Sequence, residues 1–464
     1  MTITELPRRI GRAVPALSRP ERRPDGAASS AAAGGRGGGL GRGLVAMRYP
    51  NYRRYWFGQI GSLVGAWMQS VALPWLVLQL GGSALQLGLV MAFLFGPSMV
   101  VAPLGGVLAD RVDKRRTLLV VNAVAMLQAT ALFVLTMTGT IEIGHVYMLA
   151  LVAGIVGAIE MPVRQAFVAD LVPREDLVNA IALSSTSFNL SRVIGPAIAG
   201  VTIAAFGVAS NFGINAISYT SVIIGLWRID PRQMHAATRP DSFPSIRASL
   251  VEGLRYARAT PTVLWPLVLL GGMSALAMNF QTLLPLFTRG TLGMDAGGYG
   301  AVFAAMGAGS LVGSLGLAFI SNQRPMKRLI IGGGAAFLAL AFTLGFVRSP
   351  VLAVALVIGI GFASMLMVNT INVTIQNSVP DALRGRVMAL YVTVFAGSAP
   401  IGGLFAGSLA EAFGAPVAFS IGAGLAAGVL ALAAWKLRGA RPPRLEDLEP
   451  ALERIGPEVT RRAA

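Results

Sequence analysis

The sequence contains no cysteine, and only two of its 464 residues are histidine. The lack of cysteine excludes disulfides and thiolate metal sites. His145 and His235 lie far apart in the chain, so we expect neither a metal site nor a bound cofactor. Charged residues make up only 13% of the chain, roughly half the fraction found in soluble domains, whereas 54% of residues are hydrophobic. A chain this apolar needs a lipid bilayer around it.

Apolar runs of about 20 residues recur along the chain, and each is long enough to cross a hydrocarbon core of roughly 30 Å. They predict an all-α membrane protein with twelve transmembrane helices in two six-helix pseudo-symmetric bundles. The spans lie near residues 55–79, 86–108, 117–138, 144–166, 178–206, 210–228, 263–287, 297–320, 328–347, 350–374, 386–411 and 415–436. The predicted regions are a disordered cytoplasmic tail at 1–47, an N-terminal bundle at 48–228, a cytoplasmic linker at 229–262, a C-terminal bundle at 263–437 and a cytoplasmic tail at 438–464.

The net charge of +17 is distributed unevenly between the loops. If the N-terminus is cytoplasmic, all but three of the 38 lysines and arginines fall in cytoplasmic segments. This asymmetry follows the positive-inside rule and predicts an inner-membrane protein with both termini in the cytoplasm. Because the charge is explained by orientation, we expect no nucleic-acid partner. The expected partners are the lipid bilayer, a small-molecule substrate and protons, and we expect a monomer.

The two predicted bundles repeat one another in sequence. Residues 173–200 align with 380–407 at a constant offset of 207, which pairs Gly195 with Gly402. Parallel repeats of six spans are the arrangement of transporters that bind substrate between the halves, near the middle of the membrane. The pattern of residues 245–259, between the bundles, predicts an amphipathic helix on the inner membrane surface. We expect this helix to link the two halves mechanically.

The loop between the second and third spans combines a glycine, an acid and several basic residues. Such a loop can act as a charged latch that forms in one conformation and breaks in the other. The candidate latch residues are Gly106, Asp110, Arg111, Arg115 and Arg116. The loop resembles the signature loop of the major facilitator superfamily, although Asp113 stands where the family usually has glycine. The copy in the second half lacks the acid, so we expect a latch on one side only.

The fifth span carries Ser191, Gly195, Pro196 and Gly200. Small residues allow helices to pack closely and proline bends a helix, so ordinary packing of membrane helices also explains the pattern. The spacing resembles the antiporter motif of drug exporters. That resemblance implies export.

Short segments spread over most of the chain together resemble the enterobactin-exporter-like branch of the superfamily, which also contains drug efflux proteins. These segments are 52–59, 72–75, 162–165, 171–174, 189–196 and 384–386. The resemblance implies proton-driven efflux of amphipathic molecules, siderophores included. The chain departs from proton-coupled drug exporters at the start of the fourth span, where Ala150 replaces their usual arginine.

Charged residues within a membrane span are costly, so they suggest function. Glu160 and Arg164 are one turn apart on the fourth span. We interpret Glu160 as the proton carrier and Arg164 as the residue that sets its proton affinity; the alternative is a static ion pair. Arg192 is a third coupling candidate, but a rise of 1.5 Å per residue places it roughly 9 Å deeper than Glu160. We therefore expect Arg192 to face the central cavity or a helix end, and Ser184–Ser187 to lie level with Glu160.

Polar and aromatic residues near the middle of the spans outline a candidate substrate cavity. They are Trp67, Gln69, Asn215, Tyr219, Asn279, Gln281, Asn369, Asn372 and Gln376. Each of them alone could instead join one helix to another.

Three classes of function remain. The favoured one is a secondary active transporter that exports small amphipathic, drug-like or siderophore-like molecules by proton antiport and alternating access. The alternative is a proton-linked or facilitative importer of a small nutrient on the same fold. An intramembrane enzyme or sensor is least favoured, because the chain has no hydrolase or nucleotide-binding motif.

Overall fold

The computed structural model describes residues 43–101, 109, 111–235, 246–320 and 326–439, and the side chains of 246–250, 318–320, 381 and 382 are not described. The compact unit of the chain begins at Leu44. Most of the two predicted tails lies outside the described residues, as do the latch candidates Gly106 and Asp110.

The first half of the chain contains six long helices. They are α1 (Pro50–Gln79), α2 (Ala84–Val101), α3 (Lys114–Met137), α4 (Ile143–Asp170), α5 (Leu177–Phe206) and α6 (Ala209–Trp227). Asp113 caps α3 by accepting a hydrogen bond from the backbone N–H of Arg116. Gly207, with a φ of 79°, forms the turn between α5 and α6.

The second half begins with a shorter helix, α7 (Ile246–Ala259), which lies within the predicted linker. The helices that follow are α8 (Pro261–Leu276), α9 (Phe280–Gly290), α10 (Ala296–Ile320), α11 (Met326–Leu344), α12 (Pro350–Asn377), α13 (Asp381–Phe413) and α14 (Ala415–Leu437). The repeat seen in the sequence extends to the helix ends, because α4 and α12 begin and end at the offset of 207.

Within the described chain, eleven segments are helical, long and apolar enough to cross a membrane, with α8 and α9 counted as one. The remaining predicted span is α6, which packs against α1 and α3. The fully buried Asn211 and Asn215 lower the hydropathy of this short helix. The all-helical membrane fold with two related bundles is thus confirmed.

The first span of the second half differs from the prediction of one continuous helix over 263–287. The helix stops at Leu276 and restarts at Phe280. Asn279, in the break, donates a side-chain hydrogen bond to the carbonyl of Ala275 at 2.9 Å. An asparagine side chain that bonds to the backbone competes with the helical pattern, which gives a physical reason for the interruption. The matching level of α1, around Trp67, is continuous helix.

The two halves meet along two pairs of helices, α2 with α13 and α5 with α10. Glycines bring the backbones together at both contacts. A Cβ atom on Gly200 would lie 3.0 Å from the Cα of Gly300, and one on Gly407 would lie 3.1 Å from the Cα of Gly88. We call the membrane face at which α1 begins and α14 ends the terminal face, and the other the opposite face. Both glycine contacts lie toward the opposite face.

Candidate functional site

A cavity of about 380 Å³ lies in the first half, on the terminal-face side of the membrane region. This volume falls within the range of small-molecule sites. Three helices line it: α1 with Tyr55, Trp56, Gln59 and Leu63, α4 with Met161, Arg164, Gln165 and Val168, and α5 with Ile181, Ser184, Ser185, Ser187, Phe188 and Asn189. The lining is mainly apolar, with a serine strip, two glutamines and one arginine, as a site for amphipathic molecules requires.

Glu160 and Arg164 form an ion pair beside this cavity. The Nη1 atom of Arg164 lies 3.7 Å from Oε1 of Glu160, and the two side chains are 21% and 18% exposed. The separation exceeds that of a hydrogen bond, so the carboxylate is not tightly held. Tyr55 and Tyr219 lie near both charged groups. The buried hydroxyl of Tyr55 has no hydrogen-bond partner among the described residues. A role of Glu160 in proton movement stays a prediction.

Arg192 lies deeper, and no described ion pair joins it to Glu160. Its guanidinium carbon is 5.7 Å from the ring centroid of Trp67, which in turn meets Phe188 edge-on at 5.7 Å. The Nε atom of Arg192 is buried without a hydrogen-bond partner in the described part of the chain. Trp67 and Arg192 are therefore brought together, one turn beyond the cavity residues Leu63 and Phe188.

Two of the other cavity candidates lie in a hydrogen-bonded network between helices of the first half. Asn215 Nδ2 donates to Gln69 Oε1 at 2.8 Å, and Gln69 Nε2 donates to Gln128 Oε1 at 3.3 Å. Gln128 Nε2 then donates to the carbonyl of Leu149 at 3.2 Å. The network joins α6, α1, α3 and α4. A role of Gln69 and Asn215 as substrate contacts stays a prediction.

The remaining cavity candidates lie apart from the cavity lining. Asn369 donates to Ser314 at 3.1 Å between α12 and α10, and Gln376 donates to Asn372 at 2.6 Å along α12. Asn279 lies in the break between α8 and α9, with Gln281 in the first turn of α9. The structure brings none of these five amides into the described cavity, and their binding role also stays a prediction.

Of the described latch candidates, Arg115 makes the firmest contacts. Its Nε and Nη2 atoms donate to the carbonyls of Leu226 and Trp227, each at 2.8 Å. Arg116 is exposed and pairs with Asp113 at 3.3 Å. Arg111 is among the described residues and has an interaction of its own. The two carbonyls contacted by Arg115 end α6, so this residue ties α3 to α6.

Sequence reasoning missed the strongest ion pair of this loop region. Lys114 Nζ lies 2.7 Å from Oδ2 of Asp170, with side chains 18% and 9% exposed. The pair joins the start of α3 to the end of α4. A signal was present, because Asp170 has a neutral counterpart, Asn377, in the repeat, which marks the acid as particular to the first half.

The fifth-span motif contributes to two contacts. A Cβ atom on Gly195 would lie 2.5 Å from the Cβ of Trp67, so Gly195 allows α5 to approach α1. Gly200 allows α5 to approach α10, where the carbonyl of Pro196 also lies close to Gly300. Ser191 is buried. The motif thus packs both within the first half and against the second.

Over residues 42–461, the chain matches the family of transmembrane secretion effectors, a branch of the major facilitator superfamily. The chain belongs to this transporter family. It is 27% identical to the multidrug efflux pump Tap of Mycolicibacterium fortuitum over 376 residues, which cover 78% of this chain and 90% of Tap. It is 26% identical to the enterobactin exporter EntS of Escherichia coli O1:K1 over 388 residues, 83% of this chain and 91% of EntS.

The crystal structure of the nucleoside transporter NupG has the same fold, with a TM-score of 0.66 over 84% of this chain and 99% of NupG, at 13% identity. The predicted resemblance to the major facilitator superfamily and its exporter branch is confirmed. The chain is a multi-pass membrane transporter and not an enzyme. Among the described residues of the transporter, no group of three or more histidines and acids could hold a metal ion.

This transporter is held shut at the opposite face by contacts between its halves. Arg289 of α9 donates to the carbonyl of Leu78 of α1 and lies 5.9 Å from the ring of Trp75. Trp75 stacks on Tyr299 of α10, with ring centroids 5.8 Å apart. The backbone N–H of Leu85 adds a hydrogen bond to Glu411 of α13 at 3.2 Å.

Near the terminal face, by contrast, the following ion pairs and hydrogen bond each join elements of the same half. Lys114 binds Asp170 in the first half, and Arg386 of α13 binds Glu252 of α7 in the second. The carbonyl of Leu437 accepts from Lys327 at 3.0 Å, also within the second half. The conformation is therefore one in which the cavity lies on the side away from the closed contacts.

Proposed function

We propose that this transporter exports small amphipathic molecules from the cytoplasm by exchanging them for protons, with both termini cytoplasmic. The observation that carries the proposal is the Glu160–Arg164 pair, which lies beside a mainly apolar cavity. Membership of the secretion effector family supports the direction, as do the names of Tap, an efflux pump, and EntS, an enterobactin exporter. With the terminal face cytoplasmic, the cavity lies on the side from which an exported molecule enters.

The ion pair can take up and release a proton without breaking a tight contact. Its charged atoms are 3.7 Å apart, so a proton on Glu160 costs one loose Coulombic attraction rather than a short hydrogen bond. Protonation leaves Arg164, which lines the cavity, without its acid. The charge of the cavity wall then depends on whether Glu160 carries a proton, and this couples proton occupancy to substrate binding.

Alternation of access requires the contacts at the opposite face to separate. The glycine contact between α5 and α10 and the Arg289–Leu78 hydrogen bond both cross between the halves, so they break together when the halves rock. A proton that enters from the opposite face reaches Glu160 only in that second state. Export and proton entry thus alternate.

The test is uptake into inside-out membrane vesicles that contain the protein, with a proton gradient acid inside. A panel of cationic, neutral and anionic amphipathic fluorescent probes is offered to the wild type, Glu160→Gln and Glu175→Gln. Glu175 is an exposed acid before α5, so its variant removes the same charge without touching the ion pair.

We expect gradient-driven uptake of at least one probe by the wild type and Glu175→Gln. For Glu160→Gln we expect a loss of roughly 100-fold, the size of effect typical of a lost proton-transfer group. Uptake that survives in Glu160→Gln would leave export in place and make the ion pair a structural brace. Uptake that ignores the gradient, or no uptake of any probe, would overturn proton-driven export and favour the importer.

A further inference from the structure

Arg192 lies one helical turn beyond the deep end of the described cavity. On α5, Phe188 lines the cavity and Arg192 follows one helical turn further from the terminal face; on α1, Leu63 lines it and Trp67 follows one turn further. The guanidinium lies over the ring of Trp67, which also contacts Phe188. The deep end of the cavity is therefore the end nearest to Arg192.

This guanidinium is charged, and although the residue as a whole is only partly buried, its Nε atom is shielded from solvent. An arginine stays protonated in proteins, so its charge must be stabilised by a partner. In the described part of the chain no carboxylate forms an ion pair with Arg192, and its Nε–H has no acceptor. The ring of Trp67 attracts the cation but does not take the place of an oxygen acceptor in the plane of the guanidinium.

A second arginine in the same structure also lies over a tryptophan ring but has an oxygen acceptor for its guanidinium. Arg289 lies 5.9 Å from the ring of Trp75, almost the distance that separates Arg192 from Trp67. Arg289, however, also donates to the carbonyl of Leu78. Arg164, nearer the terminal face, has Glu160. Arg192 therefore differs from both in lacking an oxygen partner within the described residues.

We propose that Arg192 binds an anionic group of the substrate, so that the exported molecules are amphipathic anions. A carboxylate or a similar oxyanion would accept two N–H bonds from the guanidinium. The aromatic faces of Trp67 and Phe188 and the apolar lining would hold the rest of the molecule. This inference gives the substrate class for the proposed export site and rests on that proposal only for the direction of transport.

Binding is measured without any gradient, on purified full-length protein in nanodiscs of phosphatidylcholine. The probes are 1-pyrenebutyrate and 1-pyrenebutanamide, which share ring and chain and differ in charge, with 1-pyrenebutylamine as the cation. Equilibrium dialysis gives the affinities, and empty nanodiscs correct for partition into lipid. The variants are Arg192→Gln and Arg192→Lys, and the matched control is Lys436→Gln, which removes another cation over a tryptophan ring, that of Trp265, away from the cavity.

We expect wild type to bind the carboxylate at least tenfold more tightly than the amide and the ammonium. Arg192→Gln should lose this preference through weaker carboxylate binding, with the amide changed less than twofold. Arg192→Lys should keep most of the preference because it keeps the charge, and Lys436→Gln should keep all of it.

Equal affinity for the three probes, a preference for the amide or ammonium, or no saturable binding of the carboxylate would overturn the inference. An undiminished preference of Arg192→Gln for the carboxylate over the amide would overturn it as well. If Arg192→Gln does not fold, the three-probe ranking in wild type and Arg192→Lys decides. If the protein prefers the carboxylate but shows no gradient-driven uptake into vesicles, the anion site stands and proton-driven export is wrong. If the vesicles take up only cationic probes in response to the gradient, proton-driven export stands and the anion site is wrong.

Discussion

The two halves of the molecule share their helix register but not their charges. At the repeat offset of 207, Glu160 corresponds to Met367 and Arg164 to Ile371. Both counterparts are fully buried apolar residues of α12. Because α4 and α12 begin and end at matching positions, the difference in charge between them does not come from the fold. The first half has gained, or kept, a titratable pair that the second half does without.

The same contrast holds on the fifth spans of the two halves. Phe188 corresponds to Phe395 and Ser191 to Ser398, whereas Arg192 corresponds to Ala399. Residues that pack are repeated and the charge is not. Positions that are alike in both halves thus contribute to helix packing. Positions that differ in charge are the candidates for a functional role.

The largest expected effect comes from removing one partner of the Lys114–Asp170 pair. In Lys114→Met the buried carboxylate loses its described partner, and its Oδ1 atom has none already. We expect the free energy of unfolding to fall by about 3 kcal/mol. Tryptophan fluorescence during titration with a denaturing detergent would measure it.

The double variant Lys114→Met with Asp170→Asn removes both charges and gives α3 and α4 the residues that begin α11 and end α12, Met326 and Asn377. It should recover most of the loss, since no buried charge is left unpaired. A double variant as unstable as Lys114→Met alone would show that the second half is stabilised differently at this place.

A smaller effect, and an equal one in both halves, is expected from the glycines that the repeat preserves. Gly195→Ala would place a Cβ 2.5 Å from the Cβ of Trp67, and Gly402→Ala would place one 2.9 Å from the carbonyl of Ala275. Each should lower the free energy of unfolding by about 1–3 kcal/mol because a helix must move aside.

Gly157→Ala and Gly424→Ala are the matched controls, since a Cβ at either helical position meets nothing within 4 Å. In the same denaturation assay they should be neutral or stabilising, because alanine favours helix over glycine. If Gly195→Ala and Gly402→Ala differ strongly from one another, the two bundles do not pack alike.

The smallest effect concerns the basic residues that hold the last carbonyls of each half. Arg115→Ala removes two hydrogen bonds at the end of α6, and Lys327→Ala removes the hydrogen bond to the last carbonyl of α14. At a net value of about 0.5–1.5 kcal/mol per bond, each variant should lose a small part of the free energy of unfolding. Thermal unfolding of the two variants would rank them, with Arg116→Ala near wild type because its pair with Asp113 is exposed.

Much of the fold was predictable because hydropathy and the repeat reflect the bilayer directly. Depth along the helices was predictable too: counting residues from the loop at Pro173 placed Ser184–Ser187 level with Glu160, and Ser184, Ser185 and Ser187 do line the cavity beside the ion pair. The break at Asn279 was not predicted, because a hydropathy average over about 20 residues does not register so short an interruption.

The cavity lining was harder to predict than the helices. The choice of mid-span amides selected Gln69 and Asn215, which satisfy one another between helices. The glutamines that do line the cavity, Gln59 and Gln165, lie nearer the terminal face. Polarity in the sequence indicates that a side chain needs a partner but not whether the partner is a helix or a bound molecule.

The segments before the first span of each half are related by the same repeat as the helices. The backbone N–H of Ala46 donates to Asn179 at 2.9 Å, and its counterpart Gly253 packs on Arg386, the counterpart of Asn179. Tyr49 and Tyr256 likewise share the offset of 207, and each hydroxyl ties its segment to the terminal face of its own half. A tandem duplication leaves this pattern when the copied gene segment began upstream of the first membrane helix, so the ancestral unit already had its own means of docking its leading segment.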